Sequence, residues 1–179
     1  MTLCRMLAMT AAACGFLLGG AAVAAGITVH DARNRDVTIN DPARIVSIGG
    51  AITEILYALG FEDRLAGVDA TSLYPAAARA KPNVGYMRQL SAEGVLGLNP
   101  SLVLAVQGSG PKEAMDLLEA AKVPLVLVPE IFSEQGLLDK IRMVGHAMDA
   151  DKRAECLTAV VTDDLAQLRQ LLRPGDQDD

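Results

Sequence analysis

Between residues 44 and 148, short apolar β-forming runs alternate with segments whose apolar residues recur at helical spacing, and nothing else constrains the fold as strongly. Ile45-Val46-Ser47-Ile48 runs into Gly49-Gly50, after which Ile52, Ile55, Leu56 and Leu59 follow at intervals of three, one and three, with Gly60 as a stop. The pattern then repeats. Residues 65–68 predict a strand and 91–98 a short helix, 102–106 a strand and 111–121 a helix opened by Pro111, 123–128 a strand and 133–148 a helix. Continuously apolar strands are those covered on both faces, so the alternation implies a mostly parallel sheet flanked by helices. In such sheets ligands bind at the carboxyl ends of the strands. That directs attention to residues 49–50, 69–74, 85–89 and 107–110.

Two segments frame this unit. Ile27-Thr28-Val29 and Val37-Thr38-Ile39 alternate around a polar stretch and predict a hairpin. Residues 151–172 are charged, rich in Ala and Leu and free of Gly and Pro, and read as one long helix with Leu157, Val160, Val161, Leu165, Leu168 and Leu172 as its apolar stripe. Pro174-Gly175 is expected to end it, leaving residues 176–179 as an acidic tail.

Ahead of the hairpin, Arg5 precedes an apolar stretch from Met6 to Val23, and Ala22-Val23-Ala24 offers the small residues that signal peptidase accepts. Residues 1–25 are thus expected to be a cleaved signal peptide that sends the chain to the periplasm. A retained anchor and a lipoprotein signal before Cys14 are the competing readings. Cleavage would leave Cys156 as a single thiol, so no internal disulfide supports export. Apolar residues make up 51% of the sequence, yet beyond residue 25 no apolar run approaches the roughly 20 residues that span a bilayer. A net charge of −6 and the lack of any Lys/Arg cluster argue against a nucleic-acid partner.

Catalytic constellations are thin. His30 and His146 stand in no metal-ligand or triad spacing and read as structural. Gly49-Gly50 and Gly108-Ser109-Gly110 lack the Lys-Ser/Thr of a phosphate loop and read as tight turns, and Cys156 has no His in sequence reach. Binding chemistry is richer around Val84-Gly85-Tyr86-Met87-Arg88-Gln89-Leu90-Ser91-Ala92-Glu93-Gly94. A tyrosine placed just after glycine on a cleft loop can present its phenolate, a hard anionic ligand for ferric iron. Arg88 could stabilise that anion or pair with a carboxylate. On the residues alone a second account stands beside this one, in which Tyr86 lids the lobe and Arg88 is a solvated surface charge. Tyr74 is a rival ligand, and Tyr57 is set aside because it lies within the first helix. Glu93, in the first turn after Ser91, could simply face the helix dipole.

The blocks from Arg44 to Gly60, from Val84 to Gly94, and Leu98-Asn99-Pro100-Ser101-Leu102-Val103-Leu104-Ala105 resemble hemin-specific substrate-binding proteins of ABC importers. These belong to the helical-backbone class that also serves cobalamin and ferric siderophores. The resemblance runs from about Ile27 to Leu172, and its Val-Gly-Tyr-x-Arg block is the part specific to haem. Residues 26–150 are then expected to be the N-terminal, Rossmann-like α/β lobe, and 151–173 the helix connecting it to a second lobe. Tyr86 matches the tyrosine that ligates haem iron, Arg88 the arginine beside it, and Glu93 the glutamate that docks on the permease.

The resemblance implies haem as transported ligand, a permease/ATPase complex as partner, an outer-membrane haem receptor upstream, and no enzymatic activity. Because the sequence stops at Asp179, the second lobe and its docking glutamate are expected to be missing and haem binding to be weak. A siderophore or cobalamin carrier, a small envelope enzyme and a non-functional remnant are the alternatives.

Overall fold

The computed structural model describes residues 26–172, so the expected signal peptide and acidic tail lie outside the described residues. Strands β1 (Ile27–His30) and β2 (Asp36–Ile39) pair antiparallel as the predicted hairpin. There follow β3 (Ile45–Ile48), α1 (Gly50–Ala58), β4 (Leu65–Val68), a small hairpin of β5 (Gly85–Tyr86) and β6 (Gln89–Leu90), α2 (Ala92–Leu96), β7 (Leu102–Val106), α3 (Lys112–Ala120), β8 (Leu125–Val128), α4 (Glu134–Ala147) and α5 (Asp151–Leu171). The β5–β6 hairpin was not predicted. Two residues per strand are too few for periodicity to register.

A four-stranded parallel sheet forms the centre, in the order β4-β3-β7-β8. Its side chains divide by the period of two that a pleated strand imposes. Ile45, Leu102, Leu104, Val106, Val126 and Val128 face α1 and α4. Val46, Ile48, Val103, Ala105, Leu125 and Leu127 face α2 and α3, where Val95, Met115 and Leu118 are buried. Ser91 and Ser133 cap α2 and α4, each hydroxyl accepting from the backbone N–H three residues on.

The first hairpin is pinned to the edge of this sheet. The Ala32 N–H donates to Leu127 O at 2.8 Å, buried Asp31 accepts from the Arg35 guanidinium at 2.6 Å, and Arg33 and Arg35 both reach Glu119 on α3. Both histidines pair with carboxylates. His30 pairs with Asp36 at 2.9 Å, and His146 pairs with Asp151 at 3.0 Å.

Helix α5 packs on α4 at Gly145, where an added Cβ would lie 2.3 Å from the Ala154 Cβ. The apolar stripe predicted for α5 is divided. Leu157 and Val161 pack on the core with buried Ala154 and Thr158, whereas Val160, Leu168 and Leu172 are exposed. Helix α4 covers only one edge of that wide stripe. The Thr158 hydroxyl satisfies itself on Glu155 O at 2.8 Å, which is how a polar residue comes to occupy the covered edge. Cys156 is exposed on α5, and no helix among the described residues is long and apolar enough to cross a membrane.

Candidate functional site

Strand order places a crevice at the carboxyl ends of β3 and β7. The chain leaves β3 through α1 to β4 on one side and returns across β3 to β7 on the other, so the loops after β3 and β7 diverge. This reversal of strand order is where open α/β sheets bind ligands. A cleft of about 270 Å³ lies there, lined by Gly49, Gly50 and Ile52 after β3, Val106 and Gln107 at the end of β7, Glu130 and Phe132 after β8, Lys140 on α4, and Met87 and Arg88 on the β5–β6 hairpin.

The cleft's first wall is held by a buried polar network that sequence reading had located only as a loop. Asp69, 1% exposed at the end of β4, accepts from the Gly49 N–H at 2.9 Å, the Thr71 N–H at 3.1 Å, the Thr71 hydroxyl at 2.8 Å and the Ser72 hydroxyl at 3.0 Å. The Ser72 hydroxyl continues to Thr53 on α1 at 2.7 Å, and Thr53 to Ser47 on β3 at 2.8 Å. The Gly50 N–H donates to the Thr71 hydroxyl at 3.0 Å. Two strand-end loops are thereby tied into one rigid rim. Gly49 has φ +113°, a conformation that only glycine adopts without strain, and a Cβ at Gly50 would sit 2.6 Å from Thr71 O.

The hairpin bearing the predicted ligand is anchored on two sides. The Val84 N–H donates to Val68 O at 3.0 Å and the Ala70 N–H to Gly85 O at 2.8 Å, fixing it to the end of β4. The Leu90 N–H donates to Gly110 O and the Gly110 N–H to Met87 O, both at 2.9 Å, fixing it to the loop after β7. Gly85, at φ +99°, makes the bend that begins it. The residues at its tip, Met87 and Arg88, line the cleft.

Tyr86 stands beside them on the same hairpin, 41% exposed and outside the cleft lining, and no hydrogen bond or ion pair joins it to Arg88. Arg88 is exposed, without a hydrogen-bond or ion-pair partner among the described residues. Tyr74, the rival, is exposed on the loop after β4 and does not line the cleft. Tyr57 is half-buried in α1, where burial, with Glu62 adding to it, pushes its phenol above the usual range. Glu93 is exposed in the first turn of α2. The structure thus brings Tyr86 and Arg88 onto one hairpin at the cleft and places Glu93 outside the cleft lining.

Glu130, Phe132 and Lys140 were missed. The rule that pointed to the other strand-end loops applies equally to residues 129–132 after β8, and Lys140 was detectable as a cation on the core-facing line of α4 with Gly136, Ile141 and Val144. Among the described residues no cluster of His, Cys, Asp or Glu could hold a metal ion.

Comparison with known proteins gives this architecture its relatives. A family model described as periplasmic binding protein matches residues 45–178. An uncharacterized ABC transporter substrate-binding lipoprotein of Bacillus subtilis (strain 168) is 33% identical over 156 residues, covering 86% of this chain and 49% of that protein. The vitamin B12-binding protein of Yersinia pestis (strain Pestoides F) is 33% identical over 112 residues, 63% of this chain and 36% of that protein. The solved structure of the periplasmic heme-binding protein RhuT from Roseiflexus sp. RS-1 in apo form superposes with a TM-score of 0.72 at 41% identity, covering 75% of this chain and 51% of that one. The chain therefore spans about half the length, or less, of these proteins. With the family model covering the whole sheet, the cleft loops and α5, this chain belongs to the periplasmic binding protein family.

Proposed function

We propose that this chain is a haem-binding component of an ABC importer, exported to the periplasm by residues 1–25, with Tyr86 as the ligand to haem iron. One observation carries the reading: a Tyr-x-Arg pair sits on a doubly anchored hairpin whose tip, Met87 and Arg88, lines the crevice where this sheet topology binds ligands. Similarity to a heme-binding protein at 41% identity supports it. Haem supplies the iron. The chain supplies a phenol at Tyr86, an exposed guanidinium at Arg88 to meet the phenolate or a propionate, and an apolar wall of Ile52, Met87, Val106 and Phe132 for the porphyrin face.

In the same reading, residues 26–150 form the ligand-binding lobe and 151–173 the connector. Exposed Glu93 docks on a permease/ATPase complex, which would take haem arriving from an outer-membrane receptor. The chain performs no chemistry on its ligand.

Titrating purified protein with hemin tests this. Wild type should give a saturable ferric tyrosinate spectrum, and Tyr86→Phe should lose it with the fold intact. A second reading, a cobalamin carrier, draws on the 33% identity to the vitamin B12-binding protein. It predicts saturable cobalamin binding and the same hemin response in both proteins.

A further inference from the structure

The cleft holds a second cation besides Arg88. Lys140 is only 7% exposed, yet it lines the cleft from α4, on the α1 side of the sheet. Arg88 comes from the hairpin that packs on the opposite side through Val84 and Leu90. Lysine is almost never buried unless paired. Here the partner is Glu130, whose Oε2 accepts from Lys140 Nζ at 2.8 Å. An ammonium has three N–H donors, and the other two find no acceptor among the described residues. As a purely structural device such a pair is poor, because apolar side chains of similar size would serve a buried position as well or better. Its neighbours on the core-facing line of α4, Ile141 and Val144, are apolar.

Position supplies the missing reason. Arg88, Lys140 and Glu130 leave the cleft with one positive charge in excess, in a chain whose net charge is −6. Ile52, Val106 and Phe132 form an apolar wall beside them, which strengthens any charge–charge contact made there. Phe132 is 92% exposed, a costly placement for a phenylalanine that a ligand face would cover.

We propose that Lys140 is a second anchoring cation of the cleft, receiving a carboxylate on the edge of a flat apolar ligand, with Glu130 as its resident counter-ion and Phe132 as the lip against which the ligand face lies. The assignment rests on the haem reading above, since the carboxylates it requires are the propionates.

Hemin and hemin dimethyl ester, which differ in whether those carboxylates carry charge, separate the two ideas. Each is titrated into the full chain, K140M/E130Q and E130Q, with urea midpoints recorded to confirm folding. The double variant keeps the net charge and nearly the volume while removing the ammonium, and E130Q isolates what the loss of the Glu130 carboxylate alone contributes. Wild type should prefer the free acid, and the double variant should lose about ten-fold of that preference while keeping the tyrosinate spectrum. E130Q should raise the preference, because Glu130 no longer competes for Lys140. An unaltered preference in the double variant, or a lowered one in E130Q, overturns the assignment while leaving haem binding in place. Saturable binding of neither compound overturns the haem reading and this assignment together.

Discussion

Replacing Asp69 by Ala removes one acceptor shared by the Gly49 N–H, the Thr71 N–H and the hydroxyls of Thr71 and Ser72. The hydroxyls can rotate toward other acceptors, but the two N–H groups are fixed by the backbone. Gly49 is buried and Thr71 half-buried, so water cannot fully replace the carboxylate. An unsatisfied buried donor costs about 1–3 kcal/mol, and with the half-buried Thr71 N–H at the low end, about 1 kcal/mol, the whole loss comes to about 2–4 kcal/mol. That is a large part of the roughly 5–15 kcal/mol by which a domain is stable.

Urea unfolding followed by circular dichroism measures the loss as a lowered midpoint at constant m-value. Asp69→Asn should fall between wild type and Ala, since its amide oxygen can still accept from the Gly49 N–H while its NH₂ opposes a donor. A change within about 0.5 kcal/mol for Asp69→Ala, the range of an ordinary surface substitution, would refute the network as the element that holds the cleft rim. Equal loss in Asn and Ala would show that charge, and not acceptor geometry, is what matters.

Other outcomes follow from the packing and charge of the fold. Burial alone would raise the Asp31 carboxyl, but the Arg35 guanidinium and the N–H groups of Arg33 and Arg35 overcome it and hold it below the usual value. Its contribution to stability is therefore complete above about pH 4 and is lost as pH falls through the lowered folded value, so Asp31→Asn should flatten the acid limb of a stability–pH curve. Gly145→Ala brings a methyl to 2.3 Å from the Ala154 Cβ. It should destabilise by about 1–3 kcal/mol in spite of the better helix former, and Ala154→Gly in the same chain should restore part of the loss.

Much of the fold was legible because sheet strands and their helices carry their signal locally. Leu102–Val106 is buried on both faces and reads so from its five apolar residues, and Ser133 caps α4 where the helical spacing begins. Tyr86 and Arg88 stand out in the sequence through a motif, but the anchoring that holds their hairpin beside the cleft comes from Gly110, more than twenty residues away. Lys140 and Glu130 are ten residues apart, and each is unremarkable on its own. Likewise the α5 stripe could be counted in the sequence, but which edge would be covered depended on where Gly145 lets α4 approach.

Periodicity within a dozen residues is enough to specify the alternation of strand and helix, the parallel sheet it implies and the hairpin that precedes it. The folded chain alone reveals that β3 lies between β4 and β7, that the crevice consequently opens beside Gly49 and Gln107, and that cations from two faces of the sheet line it together. Strand order and the meeting of distant side chains are set by long-range packing, and that has no local pattern to read.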